Sequence, residues 1–242
     1  MLAWVLIAGG LAFIGWKMFG YARSSGRYDK LRAAYAPAAD TAAQSTAPAA
    51  DGGAEAASPV DFAALRADCP KAVAWLVIDD IHLSYPVVQG DDDTYFLHHA
   101  ADGTYDVAGA IFMEAANAGF QDPHVLIFGH HMQDGSMFGR LYEYRDEDFF
   151  RSGSGTFTLY TPDGTQQYQI FSVQVVEATD PVFTVGFSAG SSTFDAFVQD
   201  MRAGSLYDTG VAVSGTDQVV SLSTCATASG VGRIVISGKR VS

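Results

Sequence analysis

From residue 59 onward the sequence breaks into short apolar runs, some alternating with polar residues and some continuous, separated by turn residues such as DG and SG. This pattern constrains the fold more than any other feature, because a period of two is the signature of extended chain with one face buried. Eight strands are expected, over residues 74–78, 81–88, 108–113, 124–130, 155–161, 165–177, 218–225 and 233–239. Helices fit best over 60–67, 92–99, 136–144 and 192–203. Many short strands with few helices argue for a closed barrel rather than a doubly wound sheet. The TPDG at 161–164 reads as a tight hairpin turn between antiparallel neighbours. The expected class is therefore mainly β, a closed eight-stranded barrel with a few short helices, preceded by a transmembrane helix.

That last element comes from the opening MLAWVLIAGGLAFIGW, which carries no charged side chain. Continued to Ala22 it gives about the 20 residues needed to span a bilayer. A signal peptide would need a basic start and a small-residue cleavage site, and neither flanks the run. Residues 1–22 are thus expected to be a membrane anchor. Residues 23–58 read as a basic juxtamembrane stretch, with a polar helix near 28–35, followed by a flexible Ala/Pro-rich tether too poor in large apolar groups to form a core. Residues 59–242 form one folded domain. The basic cluster after the span favours a cytoplasmic body by the positive-inside tendency, although long domains translocate largely regardless of charge.

Of the net charge of −13, residues 1–35 carry +4 and the remainder −17. An acidic body repels phosphate backbones, so nucleic acid is excluded as a partner.

The chemistry concentrates in the closing VVSLSTCATASGVGRIVISGKRVS. If the last two strands form a hairpin, Cys225 and Arg233 face each other at its mouth, where opposed Cβ atoms lie roughly 5 Å apart. Alternation puts Ser221, Ser223, Cys225, Arg233, Val235 and Ser237 on one face and Val220, Leu222, Ile234 and Ile236 on the other. A thiol on the polar face weakens the reading of Cys225 as a packing residue, and a neighbouring cation favours the nucleophilic thiolate. Arg233 could equally bind an acyl-transfer oxyanion. A proton carrier is also needed, and among six histidines His130 stands out. In HVLIFGHHMQDGSMFGRL it follows an apolar strand and a glycine, and alternation lets only one of His130 and His131 meet the thiol. Histidine and cysteine spacings do not fit a metal site. A Cys69–Cys225 disulfide stays open, and with it a non-enzymatic, membrane-tethered binding module.

Together these stretches resemble the sortases, cysteine transpeptidases of Gram-positive cell walls, and class B in particular. The carriers are LSTC at 222–225, the arginine opening RIVISGK, FGHHMQDGSMFGRL at 128–141, AVAWLVIDDIHLSYPVVQGDDDTYFLHH and GAIFMEAANAG. The resemblance implies an eight-stranded sortase barrel, with Cys225 as nucleophile, His130 as catalytic histidine and Arg233 as the arginine that steadies substrate or oxyanion. Ser223, Thr224, Leu97 and Phe128 are expected to bind substrate, Phe128 standing where tyrosine is common. The segment 180–211 resembles a helix-bearing loop that helps cover the peptide. The implied reaction cleaves a C-terminal sorting signal of a surface protein after threonine and passes the thioacyl group to a peptidoglycan-precursor amine, or to a pilin lysine. No cofactor is implied. The implied location is the cell membrane, single-pass, with the catalytic domain outside.

Overall fold

The computed structural model describes Gly20 and residues 23–37, 58–224 and 232–242. Eight strands close into a barrel: β1 (Ala72–Ile78), β2 (Leu83–Gln89), β3 (Ile111–Met113), β4 (His124–Gly129), β5 (Thr156–Thr161), β6 (Gly164–Val176), β7 (Val219–Thr224) and β8 (Arg233–Arg240). Their order around the barrel is β1-β2-β3-β4-β7-β8-β6-β5. Two neighbouring pairs are parallel, β2 with β3 and β4 with β7; the rest are antiparallel. The TPDG turn joins β5 to β6, with Thr161 opposite Gly164.

The helices are α1 (residues 23–35), α2 (Phe62–Asp68), α3 (Glu147–Ser152) and α4 (Ser192–Ala203). Each of the last three starts at a capping side chain. Asp61 accepts from the amides of Ala63 and Ala64, Asp146 from Asp148, and Ser191 from Phe194. Such bonds satisfy backbone donors that have no partner within the helix. Two expected helices are shorter or displaced. Residues 92–99 hold only a 3-10 turn at Tyr95–Leu97, with the Asp92 carboxylate accepting from the amides of Thr94 and Tyr95 ahead of it. The helix expected from 136 begins at Gly139 as a 3-10 helix, since Met137 sits in the left-handed region at φ 50°.

Alternation along β7 and β8 divides two apolar layers. Val220, Leu222, Ile234 and Ile236 fill the barrel. Val219 and Val235, on the opposite face, pack with Phe171, Val182 and the α4 residues Phe194, Val198 and Met201. The face read as polar is therefore buried too, with Ser221, Ser223 and Ser237 roofed by the β6–β7 connection.

Helix α1 is docked on the barrel. Tyr28 is 2% exposed, meets Tyr85 edge-on and donates its hydroxyl to the Gly109 carbonyl at 2.7 Å. Arg27 pairs with Asp106 at 2.8 Å and Asp102 at 3.2 Å, and Tyr35 bonds Asp68 near the end of α2. Except for Gly20, the expected anchor over 1–22 lies outside the described residues, as does most of the 36–58 stretch. Among the described residues no helix is long and apolar enough to cross a membrane.

Candidate active site

Strands β4 and β7 run side by side in parallel, and their last paired residues are Gly129 and Thr224. His130 follows the first and Cys225 the second in sequence. Cys225, with 226–231, lies outside the described residues. The β7–β8 register, Ser221 with Ser237, Leu222 with Ile236 and Ser223 with Val235, is the one alternation predicts. Arg233 opens β8 at the same rim, opposite Val176 of β6.

His130 is fixed by a backbone atom. The Leu97 carbonyl lies 2.7 Å from Nε2, and since a carbonyl only accepts, Nε2 carries the proton there. Neutral imidazole then offers Nδ1 for proton exchange. The loop behind it is built for tightness. The His130 carbonyl accepts from Phe138 N, Asp134 accepts from the amide and hydroxyl of Ser136, and Gly135 takes φ 80°. A Cβ at Gly129 would stand 2.9 Å from the Phe138 ring, and one at Gly139 would stand 2.3 Å from the Met132 carbonyl oxygen. The DGSMFG run is thus the support of His130 rather than part of its chemistry. His131 turns elsewhere: its ring stacks on Tyr142 at 4.2 Å, and burial lowers its pKa.

Arg233 lies under the Phe183 ring, with Cζ 5.2 Å from the centroid. Its Nε is buried without a hydrogen-bond partner among the described residues. A buried donor on a permanent cation is costly to leave unmade and favours an acceptor brought by a ligand. The described part of the rim therefore supplies a positioned base and a cationic donor, the two groups that acyl transfer to a neighbouring thiol requires.

Comparison with known proteins agrees. Residues 76–241 match the family model described as a sortase domain. The chain belongs to the sortase family. Sortase B of Listeria monocytogenes is 36% identical over 174 residues, 70% of either chain. Sortase B of Staphylococcus aureus is 26% identical over 165 residues, 68% of this chain and 67% of that one. The crystal structure of sortase B from Bacillus anthracis in complex with AAEK1 superposes with a TM-score of 0.76 at 29% identity, covering 93% of this chain and 99% of that chain. The protein is thus a class B sortase and, as such, a cysteine transpeptidase.

In this sortase the residues expected at the substrate take different places. Phe128 is 8% exposed, between Phe112 and Phe183. Leu97 is half-buried and contributes its carbonyl to His130. Ser223 and Thr224 are fully buried: the Ser223 hydroxyl bonds the Thr224 carbonyl, and Thr224 Oγ1 accepts from Ile234 N, tying the mouth of the hairpin. Cys69 is a free, buried thiol pushed up to about 12 by desolvation, so the disulfide of the binding-module alternative is not formed. Among the described residues no group of three or more His, Cys, Asp or Glu is placed to hold a metal.

Two residues at the site escape sequence reasoning. Phe183 ends a 3-10 turn capped by Asp180. The next residue, Thr184, gives its carbonyl to Nδ1 of the fully buried His124 at 2.8 Å, whose Nε2 meets Ser221 Oγ at 2.9 Å. Ser221 in turn bonds Ser237. This polar chain holds the segment that carries Phe183 against the outer face of β4 and β7. Burial pushes the His124 pKa down to about 4, so the ring is neutral: Nδ1 donates to Thr184 and Nε2 accepts from Ser221.

Proposed function

We propose that the enzyme cleaves a C-terminal sorting signal of surface proteins after a threonine and transfers the acyl group to a peptidoglycan-precursor amine. Cys225, its thiol proton passed to Nδ1 of His130, attacks the threonine carbonyl carbon as the thiolate, giving a tetrahedral oxyanion that Arg233 stabilises. The C–N bond breaks as His130 gives its proton to the departing amine, leaving a thioacyl enzyme. The acceptor amine loses a proton to His130, attacks the thioester and regenerates the thiolate. No metal or organic cofactor enters this scheme. The observation that carries it is the presence at one rim of a carbonyl-oriented His130 and of an Arg233 whose buried Nε has no hydrogen-bond partner among the described residues. Residues 1–22 are read as a single-pass anchor that holds the catalytic unit on the outer face of the cell membrane.

The test is intact-mass analysis of the full chain in detergent with a panel of sorting peptides. A thioacyl adduct is expected for the wild type and none for Cys225→Ala or His130→Ala. Adduct formation by Cys225→Ala, or loss with His131→Ala and not with His130→Ala, would overturn the assignment. Supplying peptidoglycan-precursor amine and a pilin-type lysine peptide in parallel distinguishes wall anchoring from pilin polymerisation.

A further inference from the structure

We propose that the β2–β3 connection of this sortase rests on the bilayer surface, with Tyr95, Tyr105 and Val107 at headgroup level. The inference deepens the anchor reading and rests on it. Its first support is distance. The uncharged opening run ends at Trp16, and α1 is helical from residue 23. The few residues between them reach about 20 Å even when fully extended. The Ala/Pro-rich stretch comes after α1, so it adds nothing to that reach while α1 stays docked. Arg27 on Asp102 and Asp106, and Tyr28 on Gly109, keep it docked.

The second support is direction. Helix α1 lies along the β2–β3 connection, and Gly20, three residues before it, lies against Val107: a Cβ there would stand 3.7 Å from Val107 Cγ2. Gly20, the described residue nearest in sequence to the apolar run, thus lies beside the connection's most exposed part. Tyr105 is 68% exposed, Tyr95 43% and Val107 38%, three of the five large apolar side chains so exposed among the described residues. The first two join through His99, which stacks on Tyr95 at 3.9 Å and meets Tyr105 edge-on at 6.0 Å. Rings with an apolar body and a polar tip suit the membrane interface.

Charge on this face is partly compensated: Arg27 pairs with Asp102 and Asp106, Lys71 pairs with Asp91, and Arg23 is exposed, while the Asp92 carboxylate stays ionised, its pKa lowered by the bonds it accepts from Thr94 and Tyr95. The same connection carries Leu97, whose carbonyl holds His130, so a barrel lying this way keeps its catalytic rim near the membrane surface.

The experiment places the full chain, in a Cys225→Ala background, in nanodiscs of phosphatidylglycerol and phosphatidylethanolamine. The environment-sensitive dye NBD is attached at Tyr95→Cys, Tyr105→Cys, Leu11→Cys or Ala196→Cys. Ala196 is exposed on α4, which covers β6 to β8, across the barrel from β2. Labels at 95 and 105 are expected to shift to the blue and to be quenched by headgroup-region spin-labelled lipid, with the label at 196 unaffected. In a Tyr105→Asp, Val107→Asp double variant the label at 95 should lose both effects. If the label at 11 is blue-shifted while 95 and 105 report water, the proposal falls and the anchor stands. If the label at 11 reports water, the anchor reading falls and takes the proposal with it. Equal quenching at 196, or no change in the double variant, also overturns it.

Discussion

His124 touches no reacting atom, yet it ties the wall over Arg233 to the barrel, and its burial makes that tie sensitive to acid. The folded pKa lies near 4, against 6.5 for the ordinary imidazole. The neutral form is favoured on folding, so its contribution is complete above about pH 6.5 and is lost as pH falls towards 4. At 1.36 kcal/mol per unit the loss amounts to roughly 3 kcal/mol. Glu114, raised to about 7 by burial and by its bond to Asp93, works in the opposite sense over an overlapping range. Urea unfolding at pH 7 and pH 4.5, compared between wild type and His124→Gln, isolates the histidine: the variant should lose less stability on acidification. Phe183 calls for a different measurement. Cation–π contact with a desolvated arginine is worth about 0.5–2 kcal/mol. Phe183→Ala should therefore slow thioacylation roughly two- to thirtyfold, read from adduct formation against peptide concentration, with melting little changed.

Among the elements, α1 departs most from what its composition suggests. Five basic residues and one acid over residues 1–35 read as a membrane-facing stretch, but the helix spends Arg27 on two aspartates and Tyr28 on a backbone carbonyl. Its interface is mostly polar and directional, which hydropathy does not register. Tyr28→Phe should cost about 1–2 kcal/mol through the stranded Gly109 carbonyl and Ala101 amide. Tyr28→Ala should cost about 3–5 kcal/mol by emptying a buried ring site. Denaturant melts of residues 23–242 check both values, and α1 amide exchange should quicken in the alanine variant. The strands, by contrast, were legible because their period of two is set by burial, and all eight appear with ends moved by a few residues. Helix 192–203 matched because its apolar residues repeat at helical spacing behind a serine cap.

At the scale of the whole molecule, the sequence pointed to His130 and Arg233 because each sits at a strand end next to a turn, where alternation limits which way a side chain can face. It could not point to the Leu97 carbonyl, since a backbone oxygen leaves no mark in residue types. Nor could it show Phe183, which reaches Arg233 only because a histidine from a distant strand holds the following residue. Both depend on contacts between segments far apart in the chain. The parallel pairing of β4 with β7 has a consequence for how such an enzyme can change. The strands leading to His130 and Cys225 lie side by side, and everything between them in sequence, β5, β6 and the α4 layer, leaves the rim and returns to it. Evolution can therefore lengthen, trim or reshape that excursion while the two strand ends at which the proposed reaction is placed stay in register.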